Sequence, residues 1–255
     1  MDAKPHPQPP EFLSSYRRRM YERYATHWQD GAQEINATRL RAHAKAYRYY
    51  FRGWLPQNPG AAIVDLGCGR GLLLASLTGY GYKNLKGVDI SPEQVELARG
   101  SGTEVRESDA VAFLEANPEA FDLIIGLDIV EHFHKPDVIR FLEAAYKAFK
   151  PGGRLILQTP NADSPWGTMH RYNDFTHEVG FNPNSLSRLL TFTGFTAIEP
   201  RETGPVPWGY TMASTFRYVA WQLIRAGLKF WNLAETGSTG SGIFTRVFLI
   251  SAGRE

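Results

Sequence analysis

The feature that most restricts what this chain can fold into is the run Ile63-Val64-Asp65-Leu66-Gly67-Cys68-Gly69-Arg70-Gly71, followed by the helix-forming stretch Leu72–Thr78. The apolar residues at its start predict a buried strand. The three glycines permit a backbone that turns sharply into a helix and comes close to a ligand. The first turn of that helix leaves N–H groups unpaired and aimed into the loop. The spacing departs from the dinucleotide fingerprint, which needs a glycine five residues after the first: Leu72 stands there, and the third glycine is Gly71. Asp65 ends the strand with a carboxylate, which repels a pyrophosphate and attracts a cation. A nicotinamide dinucleotide is therefore the minor reading.

Around this unit, apolar runs alternate with helical patterns. Ala61–Leu66, Leu85–Ile90, Glu104–Glu107, Phe121–Leu127 and Arg154–Gln158 read as strands, in the rhythm of a parallel sheet with crossover helices. Ser91-Pro92-Glu93-Gln94 opens a helix with a capping serine and a proline at the first helical position. After Pro136, Val138, Phe141, Leu142, Ala145 and Phe149 share one helical face, which Pro151-Gly152-Gly153 ends. Beyond these come a helix Ser185–Thr193, a strand near Phe195–Glu199 and a last strand Ile243–Ser251. Residues 1–10 hold four prolines and are expected to be disordered; 11–58 suggest a helical cap of two helices; 59–255 form the main domain, with a polar, aromatic segment at 160–182 and a helical insertion at 205–240.

Composition sets outer limits. With 28 basic and 26 acidic residues in mixed order, a charge of +2 gives no electrostatic reason to expect nucleic acid, and Arg17-Arg18-Arg19 reads as a solvated helix face. The single Cys68 excludes an internal disulfide and fits a reducing compartment. No signal-peptide pattern opens the chain and no apolar run reaches about 18 residues. A soluble, cytoplasmic protein is the expectation.

Two further acids follow the glycine loop at strand ends. Asp89 lies about 20 residues past it, where a carboxylate can accept both hydroxyls of a ribose. Asp109, in Ser108-Asp109-Ala110, either contacts an adenine amino group or caps the helix Ala110–Glu115.

This succession resembles the class I S-adenosylmethionine (SAM)-dependent methyltransferases, in particular the broad group around ubiquinone-type and glycan-modifying O-methyltransferases. The resemblance runs from about Ala61 to Gly194 through Val64–Gly71, Gly87–Ser91, Phe121–Phe133 and Lys150–Asn161. It implies a Rossmann-like α/β fold: a seven-stranded, mostly parallel sheet with a reversed last strand and helices on both faces, with SAM over the carboxyl ends of the first strands. The implied cofactor contacts are Asp65, Gly67, Cys68, Gly69 and Gly71, then Asp89 and Ile90, Asp109 and Ala110 at the adenine, and Leu127 and Asp128 after the fourth strand.

The resemblance also bears on the acceptor. Enzymes that methylate amide-type nitrogens carry an Asn/Asp-Pro-Pro-aromatic segment where this chain has Gly126-Leu127-Asp128-Ile129-Val130-Glu131-His132, so an oxygen acceptor is expected. A hydroxyl must lose its proton as the methyl moves, which requires a base. Met169–Glu178 holds two histidines, two carboxylates and two aromatics in ten residues. By resemblance to the Thr-His-Glu segment of ubiquinone-type enzymes, His177 is the first choice for the base, His170 the reserve and His132 a third candidate. Related enzymes hold a divalent cation with Glu-x-x-Glu-His after the fourth strand; the shorter Asp128 departs from that pattern, so no metal is expected, and Asp128, Glu131 and His132, with His177 as a candidate fourth, are its ligands if one binds.

In the C-terminal third, which resembles methyltransferases of bacterial surface-polysaccharide synthesis, Phe216, Val219, Ala220, Leu223, Ile224 and Trp231 form one apolar helical face. Arg217, Arg225 and Lys229 form a basic stripe containing Trp221. That helix packs on its own domain, pairs with a second subunit, or rests on the inner face of a membrane. The leading expectation is O-methylation of a sugar hydroxyl or phosphorylated glycan end; the alternatives are a quinone-like or phenolic small molecule, or a SAM-binding regulator without catalysis.

Overall fold

The computed structural model describes residues 20–24, 26, 36–100, 102–207 and 211–254. The expected disordered tail, the Arg17–Arg19 run and most of the first cap helix lie outside these residues.

Seven strands form one sheet in the order β3-β2-β1-β4-β5-β7-β6, the architecture the resemblance implied. β1 (Ala62–Leu66) lies at its centre, parallel to β2 (Asn84–Asp89) on one side and β4 (Phe121–Leu127) on the other. All five β1 residues are buried, as a strand covered on both faces requires. β3 (Glu104–Glu107) and β5 (Phe149–Pro160) extend the parallel part, and β7 (Val247–Gly253) runs antiparallel to both β5 and β6 (Thr196–Glu202).

Alternation along β1 feeds two cores. Val64 and Leu66 point toward the face covered by α4 (Ala110–Glu115), α5 (Lys135–Ala148) and α7 (Pro183–Phe192), where Phe141, Leu142, Phe181 and Leu186 are fully enclosed. Ile63 points the other way, toward α1 (Ala37–Tyr50), α2 (Leu72–Gly79) and α3 (Pro92–Arg99), with Leu74, Leu77, Phe51 and Trp54. α3 begins on Ser91, whose hydroxyl accepts from the Gln94 N–H at 3.4 Å, with Pro92 at the first helical position.

Three departures from the sequence reading have clear physical causes. Phe149 continues the apolar stripe of α5 but pairs with Phe121 and opens β5; the ladder shifts register across the Pro151-Gly152-Gly153 bulge, where Gly152 takes φ 76°. Ile243–Arg246 is not strand, because side chains take up its polar groups: Asn161 Nδ2 donates to the carbonyls of Ile243 and Thr245 at 3.0 Å, and Phe244 N–H donates to Glu202. The cap helix α1 starts at Asn36, whose side chain accepts from Arg39 N–H, and ends at Tyr50; Phe51–Leu55 form a turn that buries Phe51 and Trp54. Helix α6 (Gly167–Tyr172) lies in the segment that follows β5, and the insertion between β6 and β7 is one helix, α8 (Met212–Thr236).

Candidate active site

At the carboxyl ends of β1 and β4 lies a cleft of about 490 Å³. Its walls are the glycine loop (Asp65, Gly67, Cys68, Gly69), Leu127 and Asp128 after β4, and Arg39, His43 and Tyr47 of α1. The loop takes the conformation its glycines allow: Gly67, Gly69 and Gly71 have φ of 67°, 51° and 81°, and Gly71 caps α2 in the left-handed region. Backbone bonds from Gly67 and Cys68 N–H to the Val88 carbonyl pin it to β2. A Cβ on Gly69 would come no closer than 3.8 Å to any protein atom, so this edge of the loop is open to a ligand.

Asp89 secures the same loop, accepting Gly69 N–H at 2.8 Å on one oxygen and Ser91 N–H at 2.8 Å on the other. It reaches the cleft through Gly69; Asp89, Ile90, Asp109 and Ala110 are not among the wall residues. Asp109 takes the capping alternative, accepting Ala112 N–H at 2.9 Å from an exposed position. Asp65 is buried in the floor, and burial, then the neighbouring Asp89 charge, pushes its carboxyl well above the usual range. Asp65 and Asp128 put two carboxyls on one cleft, which suits a ligand that brings positive charge. Burial drives the Cys68 thiol up as well, which removes it from nucleophilic chemistry.

Asp128 holds its backbone in the left-handed region, φ 54°, unusual for a residue with a side chain. Gln158 fixes it twice: its carbonyl accepts the Asp128 N–H at 3.0 Å and its Nε2 donates to Asp128 Oδ2 at 2.9 Å. Tyr47 OH donates to Gln158 Oε1 at 2.9 Å. The sequence reading missed this cap-helix wall; the crowded aromatics of 47–51 were its only signal.

Beyond Asp128 the structure gathers Glu131, His132 and His177, with one donor atom of each within 4.8 Å of the others. The rings of His132 and His177 meet edge to face at 4.8 Å. Their tautomers follow from their partners. His177 Nδ1 faces the His170 backbone carbonyl at 3.1 Å; a carbonyl only accepts, so Nδ1 carries the hydrogen and the neutral ring presents an Nε2 lone pair. His132 Nδ1 faces Thr176 Oγ1 at 2.9 Å, and Thr176 spends its own hydrogen on Asp174 at 2.7 Å, so His132 also donates through Nδ1. His177 Nε2 lies 4.0 Å from Glu131 Oε1. That oxygen is buried and has no hydrogen-bond partner among the described residues, while Oε2 accepts from Thr159 at 3.0 Å. Burial, then the Asp128 charge, raises the Glu131 carboxyl well above its ordinary range.

Two tyrosines from the described residues 20–24 lie beside this cluster. Tyr21 sets its ring edge-on to His132 at 6.4 Å, and Tyr24 OH donates to Asp174 at 2.5 Å. Arg171 donates to the His177 and Glu178 carbonyls, holding the loop that bears His177. His170 contributes its carbonyl to His177. Its imidazole Nε2 is buried with no hydrogen-bond partner among the described residues, and burial, then Arg246, lowers its pKa. Of the candidate ligands, the structure brings Glu131, His132 and His177 together, whereas Asp128 turns to Gln158 and the cleft.

Comparison with known proteins identifies the family and the fold. The family described as "Methyltransferase domain" matches residues 35–199. The ubiquinone biosynthesis O-methyltransferase of Vibrio cholerae is 32% identical over 108 residues, covering 40% of this chain and 43% of that protein. The protein of the same name from Xylella fastidiosa is 34% identical over 172 residues, covering 58% and 66%. The chain thus spans less than half of the Vibrio protein. Among solved structures, a SAM-dependent methyltransferase from Archaeoglobus fulgidus superposes with a TM-score of 0.61 at 20% identity, covering 92% of this chain and 99% of that one. Phosphoethanolamine N-methyltransferase 2 of Haemonchus contortus, in complex with S-adenosyl-L-methionine, gives 0.58 at 18% identity over 98% of this chain and 61% of its own.

Proposed function

The chain belongs to the class I SAM-dependent methyltransferases, and from that premise we propose that it methylates a hydroxyl oxygen, with His177 as the base. The observation that carries this reading is the orientation of His177: its Nδ1 hydrogen is committed to the His170 carbonyl, so its other nitrogen faces the shared cluster with a lone pair. Bound SAM supplies a methyl group on a sulfonium sulfur. Asp65, and Asp89 through Gly69, would set negative charge at the glycine loop, Gly69 would leave room at the backbone, and Leu127 and Asp128 would line the same cleft beside the cofactor. His177 accepts the acceptor's proton on Nε2 as the oxygen is methylated, with the buried Glu131 carboxyl 4.0 Å from that nitrogen. Tyr21, Tyr24 and the loop carrying Thr176 limit water at that point.

The acceptor we propose is a phenolic, quinone-like hydroxyl. Two observations support it: the similar proteins bear the name of a ubiquinone-pathway O-methyltransferase, and the acceptor segment exposes Trp166, Tyr172 and Phe175, flat apolar surfaces suited to an aromatic ring. A sugar hydroxyl or glycan end is the second reading, resting on the C-terminal resemblance. Incubation with methyl-labelled SAM, catechols, phenols and sugar phosphates separates them by which product carries label. SAM binding with no transfer to any hydroxyl would leave a non-catalytic SAM-binding protein and sink the proposal.

A further inference from the structure

Helix α8 carries its apolar side away from the protein. Met212, Phe216, Val219, Leu223, Phe230 and Leu233 recur at spacings of three, four or seven, on one side of the helix. All six are exposed, Met212 at 92%, Phe216 at 75%, Leu223 at 71% and Phe230 at 73%. The opposite, more polar side is the one that docks. Ser214 Oγ donates to the Val206 carbonyl at 2.7 Å, Trp221 packs toward Gly204 and donates to Glu202 at 3.3 Å, and Arg225 pairs with Glu202 at 3.0 Å. This inverts the usual surface helix, and no described residue buries the apolar side.

We propose that this side docks on an anionic lipid bilayer, with the helix lying in the plane of the interface. No described helix is long and apolar enough to cross a membrane, so α8 lies on one rather than spanning it. Charge decides between a bilayer and a second copy of the chain. From Met212 to Ala234 the helix carries no acidic residue; Arg225 is taken by Glu202 on the docked side, which leaves Arg217 and Lys229 at the two edges of the apolar side. A copy of itself would meet these cations with the same cations, whereas an anionic headgroup layer complements them. The apolar face is also wider than a two-position coiled-coil seam, since Ile224 and Trp231, both exposed, extend it. Beside the helix lies a cavity of about 620 Å³, lined by Phe216, Trp221 and Trp166 and by two cations, Arg217 and Arg246, with no carboxylate in its wall. At a membrane edge that cavity suits a phosphate headgroup above an acyl chain. Tyr50 of α1 lines it while Tyr47, one turn earlier, lines the cofactor cleft, so the bilayer would lie one helix away from the methyl-transfer site.

Flotation of the full chain tests this with vesicles of phosphatidylcholine alone and of phosphatidylcholine mixed with phosphatidylglycerol, at low and high salt. The protein is expected to float with the anionic vesicles, to be released by salt, and to stay behind with the neutral ones. Leu223→Asp with Phe230→Asp should abolish flotation, and Arg217→Gln with Lys229→Gln should weaken it roughly 10-fold or more. All four positions lie outside the core, so thermal midpoints should be unchanged, which separates docking from unfolding. Equal flotation on both vesicle types, flotation that survives the Asp variants, or no flotation overturns the proposal. So does a dimer in sedimentation that Leu223→Asp dissociates without any vesicle binding.

Discussion

His177 Nδ1 and the backbone carbonyl of His170 lie 3.1 Å apart, and this one contact sets which nitrogen of His177 is available for chemistry. Replacing His177 with Ala should lower turnover by about 10²–10⁴-fold, the usual contribution of a positioned base, with SAM affinity nearly unchanged. His170→Ala keeps the carbonyl and should cost far less. Steady-state kinetics beside calorimetric SAM titration measures both. Near-normal turnover in His177→Ala with a collapse in His132→Ala would move the base to His132.

Asp89 joins the glycine loop to the start of α3 by accepting from both Gly69 and Ser91. Asp89→Ala should weaken SAM binding by about 1–3 kcal/mol, because backbone donors lose their partner together with any ligand hydroxyl. Asp89→Asn retains one acceptor and should fall between. Unchanged affinity for Asp89→Ala in a titration would remove this residue from the site.

Chelation should leave methyl transfer intact. Although Glu131, His132 and His177 bring donor atoms within 4.8 Å of one another, burial and Asp128 push the Glu131 carboxyl toward its neutral form, a poor ligand for a hard cation. Activity assayed with EDTA, then with added Mg²⁺, Mn²⁺ or Zn²⁺, is the check. Complete loss with restoration by one of these ions would make His177 a ligand rather than the base.

His43 gives a pH signature of the cap helix. Burial, then the Arg39 charge, lowers its pKa from 6.5 to about 4, while it stacks on Tyr47 and bonds Ser76. The folded state therefore binds this proton less readily than the unfolded chain. Its stabilising contribution is complete above about pH 6.5 and is lost as pH falls toward 4. His43→Asn should flatten that fall by on the order of 2 kcal/mol, after allowance for partial exposure. Denaturant unfolding at pH 7 and pH 4.5 compares the two, and parallel losses in both proteins would assign the acid sensitivity elsewhere.

The parts of this molecule legible in the sequence are those fixed by neighbours in the chain. The strand before Gly67, the loop, and the Ser91-Pro92 helix start each carry their own chemistry within about ten residues. Phe149 was misplaced in a helix because its spacing from Ala145 fits one, and only its pairing with Phe121 across the sheet decides otherwise. The cluster shows the same limit: Glu131 and His132 lie 45 and more residues before His177, and their meeting depends on Thr176, Asp174 and Arg171 folding the acceptor loop back. Tyr47 was invisible as a wall residue because nothing near it in the chain points to Gln158.

Glu202 at the end of β6 stands opposite Phe248 at the start of β7, so the two roots of the α8 insertion emerge side by side from one antiparallel ladder. Whatever is carried between them enters and leaves the fold at a single point. Helix α8 is therefore the exchangeable part of this segment: lengthening or shortening it, with Ile243–Thr245 kept to hold Asn161, should leave the strands that build the cofactor cleft unaltered. Selection on the helix and selection on chemistry can act on separate stretches of this chain.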